Sequence, residues 1–234
     1  MQPIKAVIFD LDGVIVSTDE YHFQAWQQLA LTHGIPFNRA DNERLRGVSR
    51  MESLAILLEK SDRRVDAHEQ QQMAEAKNTI YQRSLGKLSA ADILPGVMAT
   101  LRGLAQHGVP VAIGSSSRNA STILAAIGLA EAFDTVVDGT HIRRSKPDPE
   151  VFTLAATRLG IAPGLCLVVE DADAGVDAGL AAGMRVLAVG SARCHPGASR
   201  GAADLASLSA QELLLIQSPQ LPSGNVNGSP VRVR

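Results

Sequence analysis

The stretch Ala6-Val7-Ile8-Phe9-Asp10-Leu11-Asp12-Gly13 decides how this chain is read. Its apolar, largely β-branched first half reads as a buried strand, and Gly13 stops it abruptly. In an open α/β sheet the carboxyl ends of strands form the crevice where ligands bind. Two acids separated by one apolar residue repel each other there unless a cation or a phosphoryl group offsets the cost. A capping turn accounts for either acid alone but not for both after a buried strand. The pair therefore points to chemistry, with Asp10 as a nucleophile and Asp12 moving the proton.

Further apolar runs of strand length lie at residues 109–114, 135–137, 165–169 and 185–189, with helical stretches between them. The alternation predicts an α/β fold with a Rossmann-like parallel sheet of five strands, covered on both faces. The first two runs are separated by far more chain than one crossover helix needs. Residues 17–88 are read as an inserted all-helical cap domain, and residues 1–16 and 89–217 as the core domain. Within the cap, Ser17-Thr18-Asp19-Glu20 fits a capping box. Trp26, Leu29, Ala30 and His33 follow helical spacing, Leu54, Leu57 and Leu58 give a second stripe, and Met73, Ala76 and Ile80 a third. Residues 218–234, rich in Pro, Gly, Ser and Asn, are expected to be disordered.

Composition narrows the partners. A formal charge of -2 and 3% aromatic residues give neither a basic field nor stacking platforms, so nucleic acid is excluded as a partner. No apolar run approaches membrane-spanning length and no secretory leader is legible. Cys166 and Cys194 lack metal-site spacing and read as free thiols. A cytoplasmic protein is expected, and, with no apolar stripe left over, a monomer.

Three later motifs join the first acids. Ser115-Ser116-Ser117-Arg118-Asn119 follows the second strand and opens a helix, offering hydroxyls and backbone N–H groups to an anion. Lys146 precedes Pro147, and its ammonium can pair with both Asp10 and a phosphate. Glu170-Asp171 ends the fourth strand and completes, with Asp10, a hard oxygen site suited to Mg²⁺, Asp171 directly and Glu170 through water. Asp173 reads only as an acid favoured at a helix start.

These motifs, in this order at successive strand ends, resemble the haloacid-dehalogenase-like phosphoryl-transfer superfamily over nearly the whole chain to about residue 215. Asp12 speaks against the dehalogenase branch, which uses no such proton donor. In the cap, Glu20-Tyr21-His22-Phe23-Gln24-Ala25-Trp26, Arg46-Gly47-Val48-Ser49-Arg50 with Glu52-Ser53, and Lys77-Asn78 resemble the bacterial β-phosphoglucomutase family. That resemblance implies sugar phosphate as substrate and Mg²⁺ as cofactor. It implies that Arg50 grips the phosphate not being transferred, and that Ser53 and Lys77 support the sugar. Thr18 would lie at the core–cap hinge and His22 beside Asp12. The backbone carbonyl of Asp12 would join Asp10 and Asp171 around the metal, while Ser115, Asn119 and Lys146 hold the transferring phosphate. Gly47 and Ser116 are expected against the substrate, as is Trp26, which also reads as core packing of the cap. Three departures stand out: Ser17 replaces a common acid, Arg118 a usual lysine, and Ala172 a hydroxyl residue whose loss could loosen the metal's surroundings.

Overall fold

The computed structural model describes residues 3–45, 47–62 and 64–217, so Arg46 and the 218–234 tail lie outside the described residues. The strands are β1 (Ala6–Phe9), β2 (Val111–Gly114), β3 (Thr135–Val137), β4 (Cys166–Glu170), β5 (Arg185–Ala188) and β6 (Arg200–Gly201). The helices are α1 (Asp19–Thr32), α2 (Arg39–Glu43), α3 (Arg50–Leu58), α4 (Ala67–Leu85), α5 (Val97–Gln106), α6 (Ala120–Ala126), α7 (Glu150–Leu159), α8 (Asp173–Ala181) and α9 (Ala210–Leu214).

All strands pair in parallel in the order β3-β2-β1-β4-β5-β6. The sequence predicts five of them. The sixth has only two residues, too few to carry an apolar signature, and it holds to the edge by pairing with Leu187 and Ala188.

Strand periodicity sorts the core. Val7 and Phe9 point to one side with Ile113, Leu167 and Val169, where Leu104 of α5, Ile123 of α6 and Leu213 of α9 cover them. Ala6 and Ile8 point to the other, against Phe152 of α7 and Val176 of α8. Burial on both faces explains why the strands read as unbroken apolar runs rather than alternating ones.

The chain lays β2 and β3 on one side of β1, then returns to lay β4 and β5 on the other. β1 and β4 therefore flank the switch point, where the crossovers diverge and leave a crevice at the strand ends. Phe9 registers with Val169, and the Asp10 N–H continues that ladder to the Val169 carbonyl at 2.9 Å. Asp10 is thus set beside Glu170 by β-pairing alone.

Helices α1 to α4 form the cap, with a small core of its own built from Trp26, Leu29, Leu45, Leu54, Leu57 and Met73. The chain segments entering and leaving this lobe meet at a bridge between Val16 and Ile93. Two local expectations are corrected. α1 starts one residue later than the box requires, with Thr18 rather than Ser17 at its N-cap and no side-chain cap bond; the Thr18 hydroxyl donates to Asp12, and Glu20 turns to Arg39 and Gln24. On α4 the buried stripe is Met73, Ala74, Lys77, Tyr81 and Leu85, whereas Ala76 faces solvent. A lysine inside the stripe hides its phase from an apolar count.

Ile8 lies in the middle of β1 with no exposed surface. Ile8→Ala should cost about 2–5 kcal/mol of unfolding free energy, read as a lowered urea midpoint at unchanged slope.

Candidate active site

Lys146 anchors the site. Its Nζ donates to Asp10 Oδ1 at 2.5 Å and to Glu170 Oε1 at 2.5 Å, and it is 1% exposed. Burial alone would lower its pKa, but the charges of Asp10 and Glu170 outweigh that and hold it above the ordinary lysine range. The other Glu170 oxygen accepts from the backbone N–H groups of Asp171 at 2.9 Å and Ala172 at 3.0 Å, at the entry to α8. Both Glu170 oxygens are thus occupied by protein donors at the strand end.

One oxygen from each of Asp10, Glu170 and Asp171 lies within 4.8 Å of the others, all buried. Gly13, at φ +93°, makes room for this cluster, since a Cβ there would fall 2.1 Å from Asp171 Oδ2. The Asp171 carbonyl accepts from Ser191 Oγ at 2.8 Å, which steadies the residue from behind. Hard oxygen donors that mutually repel suit a small divalent cation such as Mg²⁺.

Asp12 stands apart from the cluster and bonds the Thr18 hydroxyl. Burial first, and the Asp10 charge second, push Asp12 up to about 7. It is thereby poised to give and take a proton near neutral pH.

Above these acids lies a cavity of about 380 Å³ between core and cap. Asp10, Asp12, Ser115, Ser116, Asn119 and Asp171 line it from the core, and His22, Trp26, Gly47, Arg50, Ser53 and Lys77 from the cap. Thr18, Lys146 and Glu170, also expected at the site, stand behind this lining and position it. Ser116 Oγ is buried with no hydrogen-bond partner among the described residues.

The cap groups shape each other's charge. Lys77 Nζ meets His22 Nδ1 at 2.8 Å and lies over the rings of Trp26 at 4.8 Å and Tyr81 at 4.7 Å. While Lys77 is protonated it has only donors, so Nδ1 then accepts and the ring hydrogen falls on Nε2. Burial, then Lys77 and Arg50, hold His22 well below the usual histidine value, so it is neutral. Burial, then Arg50, lower Lys77 to about 7. Arg50 is itself lowered, first by burial and then by Arg118 facing it from the core. Cations held close together from both sides of a cavity make a pocket for an anion.

Sequence reading passed over Tyr81, although it lies one helical turn beyond Lys77 and its ring packs 4.1 Å from that of His22. It noted Arg118 only as a departure, because nothing local shows that this side chain meets Arg50 across the seam. Gln82, which donates to Asn119, and Arg143, which lines the cavity, carried no signal.

Buried acids, a buried lysine and a hydroxyl-rich helix start gathered at one switch point suit phosphoryl transfer. The profile of the haloacid dehalogenase-like hydrolase family matches residues 4–183, and the chain belongs to that family. It is 43% identical over 189 residues to the β-phosphoglucomutase of Bacillus subtilis, covering 80% of this chain and 84% of that one. It is also 33% identical over 178 residues to a fructose-1-phosphate phosphatase of Escherichia coli, covering 76% and 92%. The crystal structure of a β-phosphoglucomutase from Clostridium difficile superposes with a TM-score of 0.85 at 36% identity, covering 91% of this chain and 97% of that one. The chain is an enzyme of this family. Among the described residues, no helix is long and apolar enough to cross a membrane.

Lys77 supplies a test that needs no substrate. Its folded pKa of about 7 lies below the ordinary 10.5, so between these values the unfolded chain holds a proton that the folded chain lacks. Stability should therefore rise with pH across that window, by up to about 1.4 kcal/mol per unit, and carry the full penalty below it. Urea titrations from pH 6 to 10 should show this rise relative to Lys77→Met; parallel curves would remove the buried-charge account.

Proposed function

We propose that the protein interconverts β-D-glucose 1-phosphate and glucose 6-phosphate through a bisphosphate and a phospho-Asp10 intermediate. The observation that carries this reading is the guanidinium pair, Arg50 from the cap and Arg118 from the core, set across one cavity from Asp10. A mutase must hold two phosphates at once, one at the nucleophile, where Lys146 stands behind Asp10, and one at the far end, where Arg50 and Arg118 would take it. The likeness to two β-phosphoglucomutases supports the choice of sugar.

In this reading Asp10 attacks the phosphorus while Lys146 and Ser115 hold the phosphoryl oxygens. Mg²⁺ would be held by Asp10, Asp171 and the Asp12 backbone carbonyl, with Glu170 behind, and would neutralise charge on the transferring group. Asp12 protonates the departing sugar oxygen, and in the return direction takes the proton of the incoming hydroxyl. Thr18, at the hinge, keeps the Asp12 carboxyl in place, and neutral His22 faces the same hydroxyl through its Nε2–H. Ser53, Lys77, Trp26 and Gly47 support the sugar end. Asn119 bonds to the cap rather than to Asp10, so we assign it, with Ser116 and Arg118, to the cap-side phosphate gripped by Arg50. Water competes for phospho-Asp10, and a closed cap over bound sugar is what excludes it. Two free thiols, one exposed, fit a reducing cytoplasm, and the reading needs only one copy of the chain.

A Mg²⁺-dependent phosphatase of small sugar phosphates is the second reading, favoured by the likeness to the fructose-1-phosphate phosphatase. Supplying β-glucose 1-phosphate, Mg²⁺ and a trace of sugar bisphosphate separates the two. Glucose 6-phosphate should dominate over inorganic phosphate; the reverse ratio establishes the phosphatase. Arg50→Ala should lower sugar-phosphate turnover about one-hundredfold, the loss of two charge-assisted hydrogen bonds, and hydrolysis of a small aryl phosphate much less. Equal losses on both substrates would make Arg50 a structural residue.

A further inference from the structure

Asn119 is the one cavity-lining side chain of the core, among those with described bonds, whose amide is held at both ends by the cap. Its Oδ1 accepts from Gln82 Nε2 at 3.0 Å, and its Nδ2 donates to Asn78 Oδ1 at 3.0 Å. Asn78 and Gln82 are four residues apart on α4, so they present one face of the helix to the start of α6. Asn119 is 6% exposed and sits where β2 has ended and α6 begins, its own N–H accepted by Ser117 Oγ at 3.2 Å. The same helix carries Lys77 and Tyr81 on the adjoining, buried face.

Amide chemistry makes this clasp directional. In the structure Gln82 donates to the Asn119 oxygen and Asn78 accepts from its nitrogen, so the three amides run in one sense. Asn119 Nδ2 carries two hydrogens, of which Asn78 takes one. The second is turned toward an acceptor in the cavity only while both cap residues hold the amide in this sense. Once α4 withdraws, the amide is free to rotate and offers the cavity either its oxygen or its nitrogen.

We propose that Gln82, with Asn78, is a positioning residue that reads closure of the cap and sets Asn119 to donate to a bound phosphate. Phosphate binding and cap closure are then linked at one side chain: the anion is held best when the cap is shut, and the shut cap is stabilised by the anion. This rests on the functional reading above for the identity of the sugar phosphate, but not for the clasp itself. Gln82 lies at the exposed rim of the seam, so replacing it does not open a hole in the core.

The test is a double-mutant cycle of Gln82→Leu and Asn119→Ala, read on two quantities. One is KM for whichever sugar-phosphate reaction the parent performs, transfer or hydrolysis. The other is the apparent affinity for inorganic phosphate in the presence of Mg²⁺, from the rise in melting temperature. Gln82→Leu should weaken both about five- to tenfold, the worth of one hydrogen bond, and have no further effect once Asn119 is Ala. Gln82→Glu, which can only accept, should turn the Asn119 oxygen toward the cavity and weaken both more than Gln82→Leu does. A Gln82→Leu effect that persists undiminished in the Asn119→Ala background, or no effect in either, overturns the clasp. If the parent acts on neither sugar phosphate, the functional reading fails while the phosphate titration still decides the cycle.

Discussion

The arrangement depends on one buried cation. Lys146 is out of water and tolerable there only because Asp10 and Glu170 flank it at hydrogen-bond distance. The dependence is mutual, since those two acids would otherwise repel each other at adjacent strand ends. Removing Lys146 would leave two buried acids facing each other without a cation, whereas removing either acid leaves the lysine with a single partner. Strand pairing brings β1 and β4 together, and Lys146 makes that proximity electrostatically affordable.

The groups lining the site fall into two sets with different anchorage. Asp10, Asp171 and Lys146 are fixed by the sheet and by Gly13, which lets the Asp171 carboxylate approach the backbone. Asp12 lies beyond the strand, and its partner Thr18 is the residue at which α1 begins. The proton-moving group is thus tied to the entrance of the cap, whereas the nucleophile is tied to the sheet. In the proposed mechanism, that one hydroxyl would link the position of the lobe to the supply of the proton.

The sheet, the inserted helical lobe and the core acids were legible in the sequence because each rests on a local signal: apolar runs buried on both faces, excess length between the first two, and acids just past strand ends. What escaped reading depends on contacts across the seam. The capping box at Ser17 to Glu20 was a sound local expectation that failed by one residue: α1 starts after Thr18, which puts Tyr21 rather than Glu20 at the third helical position. The phase of α4 was misread because a functional lysine occupies a buried position that an apolar count skips. Arg118 and Gln82 have no local signature at all, since their meaning comes from Arg50 and Asn119 on the opposite side of the cavity. β6 is too short for any pattern.

The bridge between Val16 and Ile93 has an evolutionary reading. Because the lobe leaves and rejoins the chain at neighbouring points, its ends lie side by side on an otherwise finished sheet. Such a segment can be lengthened, trimmed or exchanged without reopening the parallel ladder beneath it. The chemistry stays with the scaffold, and a lineage can change what it recognises by rebuilding only the lid.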